Sequence, residues 1–203
     1  MKKLFYISAV FVLALLSGCE HREKEEDGHT TALLLIDIQD FYFPGGKAEL
    51  VDPEEAAGHA QKLLKAFRER GMEVVHVRHD SEPGGDIHES VQPVDEEPVF
   101  TKRHVNAFRE TDLLAWLRER EISGLVVCGM MTHMCVEGTV RAAHDHGFNC
   151  TVVSDACATR DLSFGEITIE AGDVHHSTLA TLKGNYARIM DTENYLSQFI
   201  SER

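Results

Sequence analysis

From Thr31 onward the chain alternates short, unbroken apolar runs with longer amphipathic stretches, and few architectures accept that rhythm. Ala32-Leu33-Leu34-Leu35-Ile36 is of strand length and has no polar face, as expected of a strand covered on both sides. Val74 to Val77, Pro98 to Lys102, Leu125 to Gly129, Cys150 to Ser154 and Ala187 to Met190 repeat the pattern. Between the runs, Asp52-Pro53-Glu54-Glu55 supplies an N-cap, a proline at the first helical position and acids in the first turn of a helix ending near Gly71. Thr111-Asp112 caps a second helix, whose Leu113, Leu114, Trp116 and Leu117 fall at helical spacing. Further helices are predicted from about Thr132 to His146, from Glu166 to Leu182 and from Thr192. Strands separated by helices make βαβ units, so the expected fold is a single-domain, three-layer α/β/α body with a mostly parallel, Rossmann-like sheet of about six strands.

The first eighteen residues do not fit that pattern. Met1-Lys2-Lys3 precedes an apolar run from Leu4 to Leu16, shorter than the roughly 20 residues a spanning helix needs, and then Ser17-Gly18-Cys19. This is the layout of a secretory signal peptide, and Leu16-Ser17-Gly18-Cys19 resembles a bacterial lipobox, which makes Cys19 the lipidation candidate. Glu20 to His29 is almost entirely charged or polar and reads as a solvated tether. The expected organisation is a lipoprotein signal peptide over 1–18, a charged tether over 19–30 and a catalytic body over 31–203. The expected location is the bacterial cell envelope, membrane-anchored through lipid on Cys19.

The net charge of −14 and the lack of a basic patch argue against nucleic acid as a partner. Export places Cys128, Cys135, Cys150 and Cys157 where disulfides are allowed, with Cys150–Cys157 as one possible pair.

In parallel α/β folds ligands bind beyond the carboxyl ends of the strands, where the strand order reverses. The first polar groups there are Asp37 after the first strand, His79 and Asp80 after the second, and Lys102 after the third. Thr132 and Cys135 follow the fourth, and Asp155 the fifth. An acid, a lysine and a cysteine therefore converge on one crevice. A cysteine attacks as thiolate, so its reference pKa of about 8.5 is expected to be lowered here by Lys102 and by the start of the helix that carries it. Asp37 is placed to take the thiol proton, and backbone N–H groups around Gly129 to Cys135 to hold an oxyanion.

Ile36-Asp37-Ile38-Gln39-Asp40-Phe41, Lys102 with Asn106-Ala107-Phe108, and Cys128-Gly129-Met130-Met131-Thr132-His133-Met134-Cys135-Val136 resemble the isochorismatase-like cysteine hydrolase superfamily, as do Val153-Ser154-Asp155-Ala156 and His175 onward. The resemblance covers roughly residues 31–200. It implies an Asp37-Lys102-Cys135 triad and a non-proline cis peptide at Met130–Met131. It also implies an oxyanion hole from the N–H groups of Met131 and Cys135, and a homo-oligomer as a possible assembly. Gln39, Phe41, Asn106, Phe108 and Met130 are weaker candidates for the substrate pocket. Nicotinamidases in this superfamily carry an Asp-x-His metal motif. Asp52 here is followed by Pro53-Glu54, so neither metal nor other cofactor is expected. Isochorismatases proper do not depend on the cysteine, and its presence points to acyl transfer onto a thiol.

The expected activity is thus cysteine-dependent hydrolysis of a small amide-like carbon–nitrogen bond through a thioester. The alternatives are an isochorismatase- or nicotinamidase-type hydrolase, or a non-catalytic lipoprotein that binds a ligand or a metal through the histidines and cysteines between Cys128 and Cys150.

Overall fold

The computed structural model describes residues 30–94 and 96–201. Residues 1–29, which include the expected signal peptide, Cys19 and most of the expected tether, lie outside the described residues. Among the described residues, no helix is long and apolar enough to cross a membrane.

The elements run β1 (Thr30–Ile36), α1 (Pro53–Glu69), β2 (Val74–His79), β3 (Val99–Lys102), α2 (Leu113–Glu119), β4 (Ile122–Met130), a π-helical turn (Thr132–Val136) and α3 (Glu137–Asp145). They continue with β5 (Asn149–Ala158), β6 (Leu162–Phe164), β7 (Ile167–Ile169), α4 (Ala171–Leu182), β8 (Arg188–Met190) and α5 (Thr192–Ser201). One six-stranded sheet has the order β3-β2-β1-β4-β5-β8, and every pairing in it is parallel. This is the single-domain α/β body expected from the sequence.

The order fixes where the chemistry sits. From β1 the chain steps outward through β2 to β3, then returns across the sheet to place β4 on the other side of β1. Adjacent strands that feed crossovers in opposite directions leave a crevice at their carboxyl ends. Here those strands are β1 and β4, in register from Thr31↔Gly124 to Ile36↔Gly129. Their interiors, Ala32 to Ile36 and Leu125 to Met130, are almost completely buried, because helices cover both faces of the central sheet. Helix α1 presents Ala56, Ala60, Leu63, Leu64 and Phe67 to the core at the i, i+4, i+7 spacing of an amphipathic helix.

Several local expectations change. Residues 162–169 form a hairpin, so the helix expected from Glu166 begins only at Ala171. Gly165 takes φ +63° in the two-residue loop between Phe164 and Ile167, a conformation that favours glycine. Asp52 stands at the start of α1 in a left-handed conformation, and its side chain makes no cap hydrogen bond. Asp155 lies inside β5 and does not face the crevice. Its Oδ1 accepts from the N–H and hydroxyl of Thr192, both at 2.8 Å, which caps α5. Cys150 and Cys157 lie opposite Leu125 and Gly129 of β4, four strand positions or about 13 Å apart, beyond disulfide reach. All four cysteines of the body are free and buried.

Candidate active site

Each arm of the site is placed by a strand end. Asp37 follows β1, where its N–H donates to the Val77 carbonyl at 2.8 Å and its φ of 51° turns the chain out of the sheet. Aspartate tolerates this left-handed region better than most side chains. Lys102 is the last residue of β3 and is turned inward, 1 % exposed. Cys135 lies in the π-helical turn that leaves β4 after the cis Met130–Met131 peptide. Thr132 ties this turn to its surroundings, donating to the Ala158 carbonyl at 3.2 Å and meeting His175 Nδ1 at 3.0 Å.

β1 and β4 come unusually close where these arms leave the sheet. Gly129 has φ +132°, and a Cβ there would lie 2.0 Å from the Ile36 carbonyl oxygen. Only glycine fits a backbone contact this tight.

The structure brings Asp37, Lys102 and Cys135 together. Lys102 Nζ donates to Asp37 Oδ2 at 2.7 Å and to Cys135 Sγ at 3.2 Å, and both side chains of the ion pair are fully buried. The second carboxylate oxygen, Asp37 Oδ1, is buried without a hydrogen-bond partner. An oxygen of this kind is costly to bury unless something fills its vacant lone pairs. Burial pushes Asp37 above the ordinary carboxylate range, against the pull of Lys102. Cys135 is pushed up to about 12, first by burial and then by the Asp37 charge, with Lys102 opposing.

This corrects the expectation of a lowered thiol pKa. The π-helical turn puts the sulfur beside a carboxylate in a dry site, so the resting group is a thiol facing a base strengthened by burial. The arrangement can pass a proton from sulfur to carboxylate as the sulfur attacks, with the lysine holding both groups.

Three of the pocket candidates make contacts of their own within the fold. Gln39 is completely buried, and its amide mimics a backbone partner. Oε1 accepts from the His79 N–H at 2.7 Å, while Nε2 donates to the His79 carbonyl at 3.0 Å and the Gly85 carbonyl at 2.6 Å. With those three bonds made, it serves as a clamp on the end of β2. Phe108 packs on Phe148 and His146 with ring centroids at 6.0 and 5.2 Å, so it belongs to the hydrophobic core. Asn106 Oδ1 accepts from the Phe108 N–H at 2.8 Å and shapes its own loop. Phe41 is buried edge-to-face on Tyr42, with Lys47 Nζ 5.4 Å from its ring centroid. Met130 is fully buried, and Met131 has only slight exposure.

Asp80 turns away to an exposed ion pair with Arg103, 2.8 Å apart. Sequence reasoning missed a direct contact of His79, whose Nδ1 lies 3.3 Å from Lys102 Nζ. The signal was available, because parallel register pairs His79 with Lys102 across β2 and β3.

A groove of about 1140 Å³ is lined by Thr31, Asn149, Tyr186 and Arg188 among others and includes none of the three converging residues. Chemistry therefore identifies the site here, and volume does not. Among the described residues, no group of three or more His, Cys, Asp or Glu side chains comes together as a metal site.

A model of the isochorismatase domain matches residues 31–194. The chain is 47% identical over 178 residues to YddQ, an isochorismatase family protein of Bacillus subtilis, covering 82% of this chain and 99% of that one. It is 26% identical over 177 residues to the ureidoacrylate amidohydrolase RutB of Acinetobacter baylyi, covering 83% of this chain and 67% of that one. A crystal structure of an isochorismatase hydrolase from Oleispira antarctica superposes with a TM-score of 0.80 at 43% identity, covering 83% of this chain and 97% of that one.

Proposed function

The chain belongs to the isochorismatase family and is a hydrolase, and on that premise we propose that it cleaves a small amide-like carbon–nitrogen bond with Asp37, Lys102 and Cys135 as its catalytic triad. The observation that carries this reading is the buried Lys102 ammonium, hydrogen-bonded at once to Asp37 Oδ2 and Cys135 Sγ. The likeness to an amidohydrolase supports the substrate class.

In the proposed mechanism Asp37 takes the Cys135 proton as the sulfur attacks the amide carbonyl. The backbone N–H groups of Met131 and Cys135 receive the developing oxyanion. The protonated Asp37 hands its proton to the departing amine or ammonia, leaving a thioester on Cys135. Water then attacks the thioester and gives a proton to Asp37, and the intermediate collapses to the carboxylic acid as Asp37 returns that proton to the departing Cys135 sulfur. Lys102 carries no proton in this scheme. Its charge opposes the effect of burial on Asp37 and steadies the sulfur as negative charge forms.

The test is ammonia release by the intact chain from a panel of small amides, with Cys135→Ala alongside. Release by the wild type and none by the variant is expected; equal release by both would remove the triad reading. We also propose that the protein is exported and held at an envelope membrane by lipid on Cys19, a reading supported by the cationic start, the short apolar run and Leu16-Ser17-Gly18-Cys19. Metabolic incorporation of a fatty-acid analogue that disappears in Cys19→Ser is the expected result, and incorporation unchanged by that substitution would refute it.

A further inference from the structure

The Lys102 ammonium has three N–H bonds and three neighbours: Asp37 Oδ2 at 2.7 Å, Cys135 Sγ at 3.2 Å and His79 Nδ1 at 3.3 Å. An ammonium has no lone pair and can only donate, so Nδ1 of His79 must accept, which puts the imidazole proton on Nε2. The ring is delivered to that position by its backbone. Gln39 closes on both the N–H and the carbonyl of His79, and cross-strand register sets His79 beside Lys102. The buried Gln39 clamp and the His79–Lys102 contact thus form one line of support from β1 through β2 to β3.

We infer that His79 is a positioning residue, whose Nδ1 accepts the third N–H of Lys102 and thereby holds the amine on the Asp37–Cys135 pair only while the imidazole is neutral. The inference rests on the triad reading. Protonation would delete the acceptor and set a second cation against the first. The charged and titratable groups facing the ring are Lys102 on β3, Asp37 at the end of β1, Asp80 beside it and His104 beyond β3, with Arg103 neutralising Asp80. Burial and then Lys102 hold His79 below the ordinary histidine range, in keeping with a neutral ring at neutral pH.

The experiment measures alkylation of Cys135 by iodoacetamide in the intact chain as a function of pH, with the site mapped by mass spectrometry. His79→Leu removes the acceptor and is expected to slow alkylation at neutral pH about tenfold or more. His79→Asn keeps an oxygen near the position of Nδ1 and cannot titrate. It is expected to restore the rate to within about threefold and to lose the extra fall in rate that protonation of His79 adds to the acid limb. An Asn variant whose acid limb superposes on that of the wild type, or a Leu variant as fast as the wild type, would overturn the inference.

Long-range proton–nitrogen NMR of histidine-labelled protein gives a reading independent of catalysis. A neutral Nε2–H tautomer that titrates higher once Lys102 is replaced by Met is expected; an Nδ1–H tautomer would refute the contact. Failure of the triad reading would register separately, as amide hydrolysis retained by Cys135→Ala.

Discussion

Two charge assemblies meet strand β2, one partly buried and one fully buried, and they are completed to different degrees. On one, Glu97 takes hydrogen bonds from Arg68 Nε at 2.7 Å, Arg68 Nη2 at 2.7 Å and the Val94 N–H at 3.2 Å, and pairs with His76 Nε2 at 2.8 Å. On the other, Asp37 has Lys102 on Oδ2 and, besides it, the Cys135 thiol alone. Burial alone would push Glu97 up, yet Arg68 and His76 hold it below the ordinary range, whereas burial prevails at Asp37. A carboxylate with its bonds filled is a staple across α1, β2 and the loop before β3. One left partly open keeps the basicity that proton transfer requires.

The largest effect expected from this contrast is on activity. Cys135→Ala should lower amide hydrolysis by about 10⁴-fold or more while leaving the melting temperature nearly unchanged, as steady-state kinetics and calorimetry will check. Lys102→Met should lose activity too, and should also destabilise the fold by about 3–5 kcal/mol in urea titrations, because it strands a buried Asp37 charge. Glu97→Leu should reverse the pattern, losing about 2–4 kcal/mol of stability while hydrolysis at 25 °C stays within a few-fold of wild type. Loss of activity without loss of stability in Glu97→Leu would erase the distinction.

The two carboxylates should also answer acid with opposite signs. Glu97, held below its reference of 4.5, contributes stability that is present above that value and drains away as pH falls through the lower native one. Asp37, held above its reference of 3.8, contributes stability that is full below that value and is lost as pH rises through the raised native one. Melting curves between about pH 6 and 3 should accordingly be flatter on the acid side for Glu97→Gln than for the wild type. The smallest effect concerns the thiol alone: with Cys135 pushed up to about 12, its alkylation rate should keep climbing above neutral pH with no plateau below about pH 10.

Much of this was legible in the chain because it rests on local pattern. Ala32 to Ile36 could only be a strand covered on both faces, and Pro53 with its acids could only open a helix, so the order of elements and the polar groups at the strand ends followed. What stayed hidden was settled by neighbours distant in sequence. Gln39 looks like a pocket residue until His79, forty positions away, arrives to be clamped. Phe108 looks equally suited to pocket or core until Phe148 stacks on it. The start of the helix expected from Glu166 failed for a different reason. Ile167 and Ile169 fit a helical period as well as a strand, and the alternation of Leu162, Phe164, Ile167 and Ile169 about Gly165-Glu166 carried the hairpin signal. The raised Cys135 pKa was out of reach because burial at the nucleophile is a property of the assembled crevice.

Gly129 gives the crevice its gauge. The clearance between the ends of β1 and β4 is smaller than one methyl group, since any Cβ at that point would overlap the Ile36 carbonyl. The residue after Ile36 is Asp37, the proposed base, and the Cys135 sulfur lies six positions beyond Gly129. Base and nucleophile are therefore spaced by a missing side chain. A single carbon added there acts as a shim between two strands and would separate the reacting atoms without altering a charge in the site.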